Sequence, residues 1–230
     1  MRVCIIPARG GSKRIPRKNI RNFCGKPMIA WSILAAQNSG RFDQITVSTD
    51  DDEIAQVAEE CGAQAPFRRT PELADDHTPT VPVIADAIRH LNLNDQTPVC
   101  CLYATAPFIL PEYLREGCRL LEETQASFVM SVTTFPYPIQ RALRRNACGK
   151  VEMLNPMLAQ TRSQDLEEAW HDAGQFYWAR AGVWTSGESV LGSGAYGLPL
   201  PRHHVQDIDS EEDWARAEWM MRTMQASTEE

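Results

Sequence analysis

The first 42 of the chain's 230 residues contain no aspartate and no glutamate. They carry nine Lys or Arg, so a protein of net charge −7 begins with a block of +9, and the rest holds fourteen basic residues against thirty acidic ones. A broad basic surface is missing, which weighs against nucleic acid as a partner, because that affinity comes from neutralising many phosphates. Long apolar runs are missing too. None approaches the ~20 residues that cross a bilayer, so no membrane association is expected. The opening run, Val3 to Ile6, stops at Pro7 after four residues, too short for a secretory leader. Seven cysteines form an odd set with no Cys-x-x-Cys spacing, and Cys100 and Cys101 sit inside an apolar run. That usage predicts reduced, buried thiols in a soluble cytoplasmic protein. His77, His90, His171, His203 and His204 lack the spacing of a zinc cluster. Gly-Lys-Ser/Thr and Gly-x-Ser-x-Gly are absent, and the glycines that follow the first apolar run are not spaced Gly-x-Gly-x-x-Gly, against Walker ATPase, serine hydrolase and dinucleotide dehydrogenase chemistry.

What is present is a loop of small residues and cations directly after that first apolar run: Pro7-Ala8-Arg9-Gly10-Gly11-Ser12-Lys13-Arg14-Ile15-Pro16-Arg17-Lys18-Asn19. Gly10, Gly11 and Ser12 suit close backbone approach with amides turned inward, and Arg9, Lys13 and Lys18 suit phosphate oxygens. A solvated basic turn has the same composition. Position decides for phosphate, since open α/β sheets bind ligands at the carboxyl ends of their strands.

Strand and helix signals alternate through the first half. Val3–Ile6, Gln44–Ser48 and Val99–Tyr103 read as buried strands, with helices from Pro27 to Gly40, Asp50 to Cys61, around Val81–Leu91, and Pro111 to Glu123. The pattern predicts one α/β domain over residues 1–230, with a mostly parallel sheet covered on both faces. After β-rich Ala126–Thr133, Asn146-Ala147-Cys148-Gly149 reads as a hairpin turn in an antiparallel excursion over residues 135–165. Gln175–Ala179 and Val205–Ile208 read as later strands. Ser210-Glu211-Glu212-Asp213 resembles a capping box opening a last helix, and Gln225–Glu230 is a polar tail expected to fray.

Asp207 and Asp209 lie two apart, so an extended segment turns both carboxylates to one side, a donor pair that suits Mg²⁺ alongside substrate phosphates. Asp209 or Ser210 could instead cap the last helix. Asp50, Asp51 and Asp52 read as helix-cap and dipole partners, Asp50 also standing at a strand's carboxyl end.

The loop Pro7 to Lys13 with Ile15-Pro16 and Lys18-Asn19 resembles the nucleotide-binding signature of the CMP-sialic acid synthetase family. The likeness continues through Val47–Asp50, Arg69–Asp76, Thr105-Ala106-Pro107 and Asp207-Ile208-Asp209. Leu102-Tyr103-Ala104-Thr105-Ala106-Pro107 replaces the family's usual Leu-Gln-Pro-Thr-Ser-Pro, putting Tyr103 where a sugar-contacting Gln is expected. That segment, with Thr161–Leu166 and His171–Trp178, resembles the branch acting on pseudaminic acid, a nine-carbon 2-keto sugar acid. The resemblance implies a Rossmann-like nucleotidyltransferase fold and transfer of CMP from CTP to the acid, releasing pyrophosphate.

By the same resemblance, Arg9, Gly10, Gly11, Ser12, Lys13 and Lys18 hold the triphosphate, Asn19 steadies the loop or ribose, and Arg69 and Thr80 contact the cytidine. Asp207 and Asp209 hold Mg²⁺, and Lys18 joins them as catalytic. Arg162 takes the substrate carboxylate, with Tyr103, Gln164, His171, Gln175 and Phe176 lining the sugar pocket. The excursion pairs two subunits in this family, which implies a homodimer and leaves open whether Arg162 serves its own site or its neighbour's. The alternatives are the same reaction on N-acetylneuraminic acid or another 2-keto acid, a noncatalytic nucleotide-binding module, and a glycosyltransferase, the last disfavoured by the lack of a mid-chain Asp-x-Asp after a strand.

Overall fold

In the computed structural model, which describes residues 1–226, strand β1 (Val3–Pro7) is completely enclosed from Val3 to Ile6. The basic loop leads from it to a small hairpin, β2 (Asn22–Phe23) and β3 (Lys26–Pro27). Helix α1 (Met28–Ser39) follows, closed by Gly40 in the left-handed conformation that glycine adopts without a Cβ penalty. Next come β4 (Gln44–Ser48), α2 (Asp52–Glu60), α3 (Thr80–His90), β5 (Pro98–Leu102), α4 (Pro111–Glu123) and β6 (Phe128–Thr134). A second hairpin, β7 (Leu143–Arg145) and β8 (Val151–Met153), separates this half from β9 (Trp170–Arg180), α5 (Ala181–Ser186), β10 (Ala195–Pro199) and α6 (Glu211–Ala226). Gln225 and Ala226 continue α6, and the remainder of the expected fraying tail lies outside the described residues.

Six strands make one sheet in the order β10-β6-β9-β5-β1-β4. β9 runs antiparallel to both β5 and β6, and the other pairings are parallel. Because alternate side chains point to opposite faces, each strand feeds two cores. Cys4, Ile6, Cys100, Leu102, Phe176 and Trp178 belong to one, and Val3, Ile5, Val99, Cys101, Tyr177 and Ala179 to the other. Covering both faces explains why Phe176, Tyr177 and Trp178 are all buried. Gly117 on α4 is required here, since a Cβ there would sit 2.7 Å from the Trp178 ring and 3.0 Å from Phe176. A third cluster packs α6 through Trp214, Ala217 and Met221 onto Ile15, Phe23, Met28, Phe108 and Ile208.

Two expectations about the last third need correction. Val205–Ile208 is not a strand, and its one fully buried side chain, Ile208, is a plug in the third cluster. The last strand is β10, which the sequence conceals because Gly197 and Pro199 are tolerated only at a sheet edge such as the one β10 occupies.

Candidate active site

The carboxyl ends of β1 and β5 open into a cleft of about 440 Å³. Its walls include Arg9, Ser12, Lys13, Lys18 and Asn19 from the basic loop, Arg69, Asp76, Thr78 and Thr80 from the segment leading into α3, Tyr103 to Thr105 beyond β5, and Asp209 ahead of α6. Residues scattered from 9 to 209 therefore share one site because the parallel strands all end on its side.

The loop is fastened from beneath. Arg17, at positive φ, pairs with Asp51 and Glu53, and Asp51 also accepts the Ile54 amide at 3.0 Å as the α2 N-cap. The Arg17 guanidinium, more than the cap bond, holds the Asp51 carboxyl down to about 2. Asn19 is buried and donates 2.9 Å to the Arg9 carbonyl. Gly10 departs from the expectation of an amide aimed at ligand: its N–H donates 3.0 Å to Asp50. A Cβ on Gly10 would lie 2.6 Å from Asp51, so packing against that acid requires glycine, whereas Gly11 faces open space.

Every strong cation in the cleft is held by an acid or a carbonyl. Arg9 and Lys13 converge on Asp76, and Arg9 also bonds the Asp75 carbonyl at 2.9 Å. Lys18 donates 2.6 Å to the Ile208 carbonyl and lies 3.2 Å from Asp209, which Arg14 reaches at 2.8 Å. Arg69 is buried, donates 2.6 Å to the Ser48 carbonyl, and keeps an unpartnered Nε. Burial pushes its pKa down, opposed by the charge of Asp50. Thr80 and Tyr103 share a hydrogen bond of 2.8 Å on the cleft wall.

Asp209 has no capping duty. Ser210 and Asp213 cap α6 reciprocally, the Ser210 amide donating 2.9 Å to Asp213 and the Asp213 amide 3.3 Å to the Ser210 hydroxyl, the predicted capping box. Buried Ile208 anchors the segment between the two acids. Desolvation first, then the charge of Asp209, raises the Asp207 carboxyl above its ordinary value. Such mutual repulsion is relieved by a shared cation; Asp209, which lines the cleft, already gathers two, while Asp207 is exposed outside the cleft walls. Among the described residues no group of three or more His, Cys, Asp or Glu converges. An ion here would rely on Asp207, Asp209 and ligand oxygens, as Mg²⁺ commonly does.

Residues 3–181 match the family described as Cytidylyltransferase. The chain belongs to the cytidylyltransferase family. It is 45% identical over 213 residues to a pseudaminic acid cytidylyltransferase of Campylobacter jejuni, covering 92% of each chain. It is 36% identical over 219 residues to N-acylneuraminate cytidylyltransferase B of Danio rerio, covering 94% of this chain and 50% of that one. A solved CMP:2-keto-3-deoxy-manno-octonic acid synthetase, complexed with CTP, shares the fold with a TM-score of 0.71 at 17% identity, over 97% of this chain and 100% of that one. This cytidylyltransferase is thus a nucleotidyltransferase built on the α/β scaffold of its relatives.

The residues expected to hold sugar divide. Tyr103 lines the cleft. Gln175 is not among the cleft walls: its backbone carbonyl accepts the Tyr103 amide at 2.9 Å, and its buried side chain donates to the His204 carbonyl and leaves Oε1 without a partner. Phe176 is withdrawn from the sugar pocket: alternation along β9 sends its ring into the core against α4. His171 bonds the Asp172 carbonyl and packs on Phe135, outside the cleft walls. Arg162, paired with Asp165 at 3.0 Å, and Gln164 are exposed on the excursion. Sequence reasoning gave no role to Asp76, Arg14 or Thr78. The acid pair Asp75-Asp76 stood in a quoted motif, but only folding shows that Asp76 answers Arg9 and Lys13.

Proposed function

We propose that this cytidylyltransferase transfers CMP from CTP to the anomeric hydroxyl of pseudaminic acid, giving CMP-pseudaminic acid and pyrophosphate, in the cytoplasm where CTP is made. The anomeric oxygen forms a bond to the α-phosphorus, the bond to the β-phosphate oxygen breaks, and the hydroxyl proton leaves to solvent. The observation that carries this reading is the meeting of Lys18, from the loop, with Asp209, 191 residues later, at 3.2 Å across the cleft. Cations for a polyphosphate and a carboxylate for its metal thereby face one space. The 45% identity to the Campylobacter enzyme supports the choice of acid.

Arg9, Ser12, Lys13 and Lys18 neutralise and align the triphosphate, exchanging Asp76 and Asp209 for phosphate oxygens as the nucleotide enters. Gly11 gives the loop room to close over it. Asn19 keeps the loop in place through the Arg9 carbonyl, and Arg69 and Thr80 face the base. Asp207 and Asp209 are the residues to hold Mg²⁺, which in such sites supplies charge stabilisation on phosphoryl oxygens and acidifies a bound hydroxyl. Tyr103 bounds the sugar side.

Arg162 and Gln164 on the excursion, and His171 at the start of β9, reach a sugar only if that end of the molecule is placed against a cleft, and a second copy supplies that arrangement. The hairpin carries exposed Leu143, Val151, Leu154 and Met157, apolar groups that a homodimer contact would cover. A pyrophosphate-release assay crossing CTP and other triphosphates with pseudaminic acid, N-acetylneuraminic acid and further 2-keto acids tests the reading. Fastest turnover is expected with CTP, pseudaminic acid and Mg²⁺. Undiminished activity in EDTA, or preference for another acid, would sink it.

A further inference from the structure

Two acids meet the basic loop in the same way. Arg9 donates 2.9 Å to the carbonyl of Asp75 and pairs with one carboxylate oxygen of Asp76, the next residue, whose second oxygen takes Lys13. Lys18 donates 2.6 Å to the carbonyl of Ile208 and lies 3.2 Å from one oxygen of Asp209, the next residue, whose second oxygen takes Arg14 at 2.8 Å. All of these cations and both acids line the one cleft. In each group the first cation is fixed by a backbone carbonyl, while its companion stands mostly in solvent, Lys13 at 80% and Arg14 at 70% side-chain exposure. The companions are neighbours in the chain, so the two groups adjoin at Lys13-Arg14.

A carboxylate that bridges two cations through separate oxygens does there what a phosphate group does, with fewer oxygens and less charge. Exposed pairs of this kind are weak in water, so a phosphate group displaces the acid readily, and the fixed cation of each group is already in place. Asp76 is presented for this by a closed turn: the Asp75 carboxylate accepts the amides of His77 at 2.9 Å and Thr78 at 2.6 Å and the Thr78 hydroxyl at 2.7 Å. Lys13 first, then Arg9, holds the Asp76 carboxyl below its ordinary value, so it is charged at neutral pH.

We infer that Asp76 and Asp209 stand where two linked phosphate groups sit, that Arg14 is a further phosphate-binding residue beside Lys18, and that Asp76 is a built-in competitor that lowers the affinity for the leaving pyrophosphate. The inference rests on the triphosphate reading of the cleft given above. Once the bond to the α-phosphorus has broken, pyrophosphate is held by these two groups, and the return of Asp76 to Arg9 and Lys13 favours its departure.

The probe is inorganic pyrophosphate, titrated by calorimetry in EDTA into wild type, Asp76→Asn, Asp50→Asn, Arg14→Ala and Arg14→Lys. Asp76→Asn keeps the shape and removes the competing charge, and it should tighten pyrophosphate roughly three- to tenfold. Asp50→Asn removes the same charge beside the same loop, but Asp50 accepts the Gly10 amide rather than a loop cation, so affinity should move by less than about twofold. Arg14→Ala should weaken binding about fivefold or more, and Arg14→Lys, which keeps the charge, should recover most of that loss. Unchanged or weaker binding in Asp76→Asn, or equal tightening in Asp50→Asn, would overturn the role of Asp76. Unchanged binding in Arg14→Ala would overturn that of Arg14, leaving it a partner of Asp209 only. Pyrophosphate binding is read without turnover, so a wild type inactive on CTP with pseudaminic acid would count against the proposed reaction and not against these anion positions.

Discussion

The nucleotide side of the cleft and the excursion carrying Arg162 are built on opposite terms. The first is closed by contacts within one chain: Lys18 with Asp209, Arg9 and Lys13 with Asp76, Asn19 with the Arg9 carbonyl, all seated on strands enclosed on both faces. The second is a hairpin whose strands pair with each other alone, and its apolar side chains stand in solvent, Met157 at 89% exposure. Phosphate recognition needs charges fixed to a rigid frame, and a parallel sheet supplies it by bringing distant loops to one edge. The residues proposed for the acid on the excursion have no such frame in one chain, and under the proposed pairing a second copy would supply it.

That contrast can be broken at its strongest point first. Asp209→Ala removes the acid that faces both loop cations, and turnover should fall by two orders of magnitude or more, with the fold intact by circular dichroism. Arg162→Ala should raise KM for the sugar acid about tenfold to a hundredfold while leaving KM for CTP within about twofold. If Arg162 serves the neighbouring cleft, mixing Arg162→Ala with Asp209→Ala subunits restores turnover that neither has alone. No restoration would place it in its own cleft.

A smaller effect is expected from Leu143→Asp combined with Met157→Asp, which puts charge on the exposed hairpin. If the hairpin pairs two copies as proposed, light scattering should show dimers for the unaltered protein and monomers for the variant, and calorimetry should show little change in CTP binding, because the loop and Asp209 meet within one chain. The smallest effect belongs to the fastening beneath the loop. Asp51→Asn should cost roughly 1–2 kcal/mol at pH 7, discounted for the partial exposure of Arg17. An acid whose folded pKa is depressed to about 2 stabilises above its unfolded value, and that stability drains away as pH falls toward 2. The gap between wild type and variant in urea unfolding should therefore close over the same range. A gap that persists at pH 2 would assign the cost to packing around Gly10.

The chain's order of elements was legible because the relevant signals are local. Gly40 after an apolar helical face, Ser210 with Asp213 at a helix start, and unbroken apolar runs at Val3 and Val99 each name a structure from a few neighbours. The basic loop was legible for the same reason, as nine cations without an acid announce a polyanion. Asp207 and Asp209 were harder, since capping and metal binding use the same residue types, and only the reciprocal bonds of Ser210 and Asp213 released Asp209 for the cleft. β10 went unread because an edge strand buries little and tolerates glycine and proline.

By itself, then, the sequence determined an α/β chain with a phosphate-seeking loop near its start and a carboxylate pair near its end, since backbone preference, periodicity and net charge are carried by adjacent residues. Which acids answer which cations was decided only in three dimensions. Asp76 over Arg9 and Lys13, Phe176 turned into the core, and Tyr177 bonded to Asp172 all depend on strand register and helix packing. A one-residue change of register would reverse every face of β9, and no neighbouring residue in the sequence records it.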